Sequence, residues 1–311
     1  MTYPVFFDSK NSTSLFGLCK NFEFLSQLYQ NKKLPKVLML TGNKGVGKTT
    51  LINHFLFSVF DKNNYDKEKF TLLENSKLPI QLKNNVFSNI IYINGSDFKS
   101  VKSEDIRDLK KKIFQSSIVN KHRFIIFDDV EQFNINSINA LLKIIEEPNN
   151  NDFFFLIYNK TRPVLDTIKS RSIEIKVMLT ENQRLKIIEK LSKFFNQDFI
   201  LDPKETFLSP GNFIKYNYIL KEYEIYPKND FIENFSSLLS LFKKKKDFIF
   251  LNIIFFLTEL YLKDLKDKKT YKDDRIYEIK NFIFENINIF LMYNMSHSSL
   301  IRVINSKLKY D

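Results

Sequence analysis

The chain has 311 residues, 43% of them hydrophobic and 27% charged, a balance that excludes a disordered protein and leaves room for two or three domains with cores of their own. A single cysteine, Cys19, excludes a disulfide framework, and with only three histidines (His54, His122, His297) no cysteine/histidine zinc site can be assembled. The formal net charge of +12 permits contact with nucleic acid, but lysine abounds together with Asn, Ile, Phe and Tyr, the bias of an AT-rich coding sequence, so charge alone does not define a DNA-binding surface.

The opening Met-Thr-Tyr-Pro-Val-Phe-Phe-Asp has no basic region followed by a long apolar stretch, so no secretory leader is expected, and a reducing cytoplasm fits the cysteine count. Up to about residue 178, short apolar runs alternate with helical patterns, which predicts an α/β domain on a parallel sheet covered on both faces. The first strand is expected at Val37–Thr41 and the first helix after it at Thr49–Phe60. Between them lies Gly42-Asn43-Lys44-Gly45-Val46-Gly47-Lys48-Thr49-Thr50, a complete G-x-x-x-x-G-K-[ST] phosphate-binding loop. Its glycines let backbone N–H groups converge on phosphate oxygens at a helix N-terminus, where the helix dipole adds a favourable field. Lys48 is placed to reach the β- and γ-phosphates, and Thr49 to offer a hydroxyl to Mg²⁺.

Residues 61–89 read as an irregular insertion, followed by a strand at Ile90–Asn94 and a helix from about Ser103 to Ser116. The next strand, Phe124–Asp128, ends in two carboxylates, Asp128 and Asp129. Asp128 suits the metal side of a phosphate site, directly or through water. Asp129 stands where a glutamate would polarise an attacking water. One methylene fewer shifts its carboxylate by roughly an ångström, a misplacement that can cost about a hundredfold in rate, so its catalytic role is doubtful. A helix at Ser137–Glu147 carries Ile138, Leu141, Leu142 and Ile145 on one face and stops at Pro148. Beyond a strand at Phe153–Tyr158, the amide of Asn159 is placed to hydrogen-bond a γ-phosphate or water. Arg171 ends a short helix before the strand Ile173–Val177, from which a guanidinium can project off the domain; a surface ion pair is the commoner role for any single arginine.

After Val177 strand signals nearly vanish. Thr180-Glu-Asn-Gln183 reads as a capping box opening a helix with Leu185, Ile188 and Leu191 on one face. A loop around Pro203–Pro210 leads to a helix near Asn212–Tyr223, and helical patterns follow at about 229–242, 246–265, 271–293 and 296–308. The run Lys243–Lys246 reads as a solvated turn between helices. Phe248–Leu262 is broken by Asn252, Thr258 and Glu259 and falls short of the roughly 20 residues a membrane span needs, so no membrane contact is expected. Three domains result: 1–178 for the nucleotide, 179–226 as a small helical lid, and 227–311 as an all-α domain.

Three segments together are more specific than the phosphate loop: Asp128-Asp129-Val-Glu, then Asn139-Ala-Leu-Leu-Lys-Ile-Ile-Glu-Glu-Pro148, then Ile168-Lys-Ser-Arg-Ser172. They closely resemble the clamp-loader branch of the AAA+ ATPases, whose last segment ends in Cys where Ser172 stands here. Leu15-Phe16-Gly17 is similar to that family's opening motif, and the resemblance covers about residues 15–178, with the helical remainder similar only in layout. Within the branch the chain most resembles subunits of the delta-prime type from bacterial DNA polymerase III. It lacks the four-cysteine zinc module of the gamma and tau motors, and Ser209-Pro210-Gly211 looks like the delta-prime Ser-Pro-Gly, with Gly211 about where a motor carries its sensor-2 arginine.

The resemblance implies a role for each segment. Arg171 would act in trans as the finger completing a neighbouring motor's ATP site, an effect of roughly 10³–10⁵ in rate for the fingers of GTPases. Asn159 would be sensor 1, and the C-terminal helices a collar holding a hetero-pentamer with gamma/tau and delta types. Its task would be to open a sliding clamp and close it on primer-template DNA. The intact loop predicts ATP or ADP with Mg and no zinc, whereas Asp129 and Gly211 predict weak hydrolysis or none. The alternatives are a competent clamp-loader ATPase, a P-loop kinase, for which no acceptor motif is evident, and a nucleic-acid-binding module acting alone.

Overall fold

A computed structural model describes residues 3–4, 7–84, 86–95, 122–269, 272–293 and 295–309. The chain divides into two compact units, residues 1–197 with 208–214, and residues 198–207 with 215–311.

The first unit is built on a five-stranded parallel sheet in the order β4-β5-β6-β1-β7. Its strands are β1 (Val37–Thr41), β4 (Ile90–Asn94), β5 (Arg123–Asp128), β6 (Asp152–Tyr158) and β7 (Ile173–Lys176). All five residues of β1 are buried, as a central parallel strand requires. Alternation along it divides the core between two faces. Leu38 and Leu40 join Phe124, Ile126 and Phe155 beneath α1 (Cys19–Gln30) and α2 (Lys48–Phe60). Val37 and Met39 join Ile125, Phe127 and Leu156 on the opposite face, against α4 (Ile135–Glu146) and α5 (Asp166–Lys169). Fully buried Phe55 meets Phe124 edge to face at 5.8 Å. Truncating either ring would cost about 3–5 kcal/mol.

The register aligns the carboxyl ends of the strands that matter. Thr41 lies opposite Tyr158 on one side and Lys176 on the other, and Asn94 opposite Asp128. Residues at that edge of an open α/β sheet are the ones a ligand meets.

Several local expectations need correction. Residues 61–89 are not simply irregular: β2 (Tyr65–Asp66) and β3 (Thr71–Leu72) form an antiparallel hairpin, followed by α3 (Leu78–Lys83). The Asp66 carboxylate accepts from the N–H groups of Glu68 and Lys69 and so shapes the turn. Helix α4 starts two residues early because Asn134 caps it, its side chain accepting from Ser137 N. Lys243, Lys244 and Lys245 complete the last turn of a helix rather than forming the turn, a place that suits their charge, and left-handed Lys246 (φ 54°) ends it. The helix expected from about Ser103 to Ser116 lies outside the described residues.

Helix α6 (Glu181–Phe195) opens with the expected capping box: Thr180 accepts from Gln183 N, and the Gln183 side chain accepts from Thr180 N. Helix α7 (Pro210–Glu222) begins in the first unit and continues into the second. There Asn217, fully buried, pins the chain before it, accepting from Ile200 N and Leu201 N and donating to Asp198 O. The rest of the second unit is a bundle of α8 (Phe231–Lys245), α9 (Ile249–Asp267), α10 (Asp273–Tyr293) and α11 (His297–Lys309). Leu238, Ile254, Ile283 and Ile304 are among its fully enclosed side chains.

Candidate functional site

Residues 42–50 run from the end of β1 into the first turn of α2. Gly45 (φ 86°) and Gly47 (φ 100°) hold left-handed conformations that other residues adopt only under strain. No side chain caps the N-terminus of α2, which leaves its first-turn N–H groups, those of Thr49 and Thr50 among them, for an anion. At its start the loop is tied to the sheet by Gly42 N donating to Tyr158 O, and a turn inside it is closed by Val46 N donating to Asn43 O.

Lys48 is 3% exposed, and its amine donates to Gly42 O at 2.6 Å and Asn43 O at 2.9 Å. Burial lowers its pKa to about 8, against the opposing pull of Asp128, Glu131 and Asp129. Among the described residues this ammonium is bonded only to carbonyls, and a buried ammonium so placed is the partner an anionic phosphate would meet.

Beside it, Thr49 Oγ1 donates to Asp128 Oδ2 at 3.1 Å, joining the loop to the end of β5. Burial raises the Asp128 carboxyl above its usual range, with adjacent Asp129 adding to the effect. A hydroxyl and a carboxylate in contact supply the oxygen donors that Mg²⁺ takes. This pair and the uncapped loop therefore fit a nucleotide and its metal.

Asp129 sits in a left-handed conformation (φ 51°), and its carboxylate is doubly engaged. Lys44 of the loop pairs with it at 3.1 Å, and Asn159 Nδ2 donates to it at 2.5 Å. The structure thus gathers Lys44, Lys48, Thr49, Asp128, Asp129 and Asn159 at the carboxyl end of the sheet. Arg171 is not among them. It lies after α5 and pairs with Glu146 at the end of α4.

The sequence did not show the contacts that three further residues make here. Glu131, 6% exposed, accepts hydrogen bonds from the loop that follows β6. Ser209 Oγ donates to Lys44 O at 2.5 Å, and Gly211 N donates to Gly45 O at 2.9 Å, so the start of α7 is bonded to the phosphate loop. A Cβ on Gly211 would stand 2.8 Å from Gly45 O, which gives this glycine a steric reason. Only the Ser-Pro-Gly spelling hinted at the contact.

The family model described as "DNA polymerase III, delta subunit" matches residues 19–181. The DNA polymerase III subunit delta' of Buchnera aphidicola subsp. Acyrthosiphon pisum is 26% identical over 178 residues, covering 54% of this chain and 50% of that protein. The DNA polymerase III subunit gamma of the same organism is 26% identical over 168 residues, covering 54% of this chain and 44% of that protein. The chain thus spans about half the length of these curated relatives, or less. A crystal structure of a DNA polymerase III, gamma subunit-related protein from Thermotoga maritima shares 14% identity over 92% of this chain and 98% of that chain, with a TM-score of 0.49. The family match spans more than half the chain and takes in the phosphate loop, both aspartates and Arg171, and the sheet has the parallel α/β architecture the motifs predict: the chain belongs to the DNA polymerase III, delta subunit family, a clamp-loader family.

Proposed function

We propose that the chain is a delta-prime-type subunit of a clamp loader. It binds ATP or ADP with Mg at residues 42–50, hydrolyses it slowly or not at all, and presents Arg171 in trans to the ATP site of a neighbouring subunit. Its partners in this reading are gamma/tau-type and delta-type subunits in a hetero-pentamer, a sliding clamp, and primer-template DNA reached through the complex, all in a bacterial cytoplasm. The domains would be an AAA+ domain (1–178), a lid (179–226) and a collar (227–311).

One observation carries the reading. Thr49 and Asp128 are in contact beside the loop, whereas Asp129, the hydrolytic position in this reading, is bonded to Lys44 and Asn159. A bound nucleotide would be held by the N–H groups of the loop and by Lys48, with Thr49 and Asp128 on the metal side. When bound, Mg²⁺ would supply charge neutralisation at the phosphates. Asn159 would complete the phosphate side, and Gly211 offers no cation from the start of α7.

A second reading, a competent clamp-loader ATPase without a zinc module, is favoured by the intact loop. Titration of the full chain with ATP and Mg²⁺, followed by a turnover assay on the same sample, separates the two. The proposal expects binding that Lys48→Ala abolishes, and turnover no faster than the background. Sustained turnover lost in Lys48→Ala would establish the motor reading instead.

A further inference from the structure

We infer that Glu131 is a positioning residue of the nucleotide site: its buried carboxylate fixes the backbone at Asn159 and Thr161, and so aims the Asn159 amide at Asp129 and at the terminal phosphate of a bound nucleoside triphosphate. This deepens the nucleotide reading above and rests on it.

Glu131 sits in the short helical turn Val130–Gln132 after β5, yet its contacts lie beyond the end of β6. Asn159 N donates to Oε1 at 3.1 Å and to Oε2 at 3.3 Å. Thr161 N donates to Oε1 at 3.3 Å, and Thr161 Oγ1 donates to it at 2.8 Å. A buried carboxylate is costly unless its oxygens are satisfied, and here the backbone of one loop satisfies them. The loop in turn cannot drift without stranding that charge.

The consequence reaches the ligand side through Asn159. Its residue is 8% exposed, its backbone N–H is held by Glu131, and its side-chain amide bonds Asp129. The preceding residue, Tyr158, accepts from Gly42 N, so Asn159 adjoins the first glycine of the phosphate loop. With backbone and side chain both anchored, the amide occupies a fixed point between the loop and the aspartates. Preorganised groups of this kind discriminate by position, and a displacement of about an ångström removes the advantage. Glu131 also adds negative charge that helps keep the Lys48 amine protonated. It touches no substrate in this account and acts through Asn159.

The test is the ratio of ATP to ADP affinity, measured by calorimetry with Mg²⁺ on the full chain. The variants are Glu131→Ala, Glu131→Asp, Glu131→Gln, Asn159→Ala and the double variant Glu131→Ala/Asn159→Ala. Asn159→Ala is expected to shift the ratio about tenfold toward ADP, the scale of one hydrogen bond to a charged group. Glu131→Ala and Glu131→Asp are expected to shift it in the same direction by a similar factor, and the double variant no further. Glu131→Gln keeps an oxygen at Oε1 and should retain the wild-type ratio within about twofold. A general loss of packing would weaken ATP and ADP alike and leave the ratio alone. Glu131→Asp keeps a charge in place and serves if Glu131→Ala does not fold. An unchanged ratio in nucleotide-binding Glu131→Ala or Glu131→Asp, an unchanged ratio in Asn159→Ala, or additive effects in the double variant would overturn the inference. Absence of nucleotide binding by the unmodified chain would instead defeat the nucleotide reading itself.

Discussion

Arg171 donates from Nε to a carboxylate oxygen of Glu146 at 2.8 Å, and its Nη2 forms an ion pair with the same oxygen, also at 2.8 Å, on the surface of the first unit. Its side chain keeps 38% of its exposure, and Nη1 also donates to Thr167 O. The guanidinium is thus oriented by its own chain while remaining open to solvent. An exposed pair of this kind is worth at most about 1 kcal/mol, so a stronger anion can take the arginine at little cost. Arg171→Ala should therefore change the unfolding free energy in urea by less than about 1 kcal/mol. A loss of several kcal/mol would mean that the arginine serves the fold.

The lowered pKa of Lys48 gives nucleotide binding a pH dependence. The protonated amine attracts phosphate, and in the unliganded protein the proton leaves near pH 8, against 10.5 for an ordinary lysine. Affinity is accordingly full below that value and falls as pH rises through it, by up to about tenfold per unit until the pKa of the bound state is reached. Titrations with ATP from about pH 7 to about pH 9.5 measure this directly. A flat profile across that window would show an amine that stays charged.

The contact between α7 and the phosphate loop predicts intolerance of the smallest side chain. In Gly211→Ala the new Cβ would meet Gly45 O at 2.8 Å. In Gly45→Ala the Cβ would meet Ser209 Oγ at 2.4 Å in a left-handed backbone as well. Each should destabilise by about 1–3 kcal/mol. Ser209→Ala, which only removes a hydrogen bond, should cost about 1 kcal/mol. Urea titrations of the three variants provide the comparison, and a Gly45→Ala variant as stable as the parent would mean the segment does not sit on the loop.

His54, a fully enclosed residue of α2, is held neutral by burial, which lowers its pKa to about 4. Its Nδ1 meets the Tyr65 hydroxyl at 3.0 Å, and its Nε2 has no hydrogen-bond partner among the described residues. The unfolded chain takes up this proton near pH 6.5, so the stability this group lends is complete above that pH and is lost as pH falls toward 4. The loss amounts to roughly 3 kcal/mol. His54→Gln should flatten the acid limb of the stability profile, and an identical limb in both proteins would assign the acid sensitivity elsewhere.

The parts of this architecture carried by short contiguous motifs were legible in the sequence. The loop from Gly42 to Thr50, the strand ending in Asp128 and the Thr180 capping box each declare themselves through local spacing. Contacts between distant segments did not. Nothing in the spacing of Glu131 announces that its carboxylate will bond the loop at Asn159, and Ser209 reaches Lys44 across 165 positions. The hairpin at Tyr65–Leu72 was hidden for another reason: strands of two residues are too short to show an alternation. Asn134 was overlooked as a cap because the apolar spacing of α4 becomes regular only from Ile138.

The most direct test of the account is ATP turnover in a reconstituted clamp loader containing this chain, with Arg171→Ala and Lys48→Ala compared against the unmodified subunit. The account predicts that Arg171→Ala lowers turnover by roughly 10³-fold or more at the neighbouring site, the scale of an arginine finger in GTPases, while Lys48→Ala leaves turnover nearly intact. Turnover that survives Arg171→Ala and collapses in Lys48→Ala would contradict it and make this chain a motor.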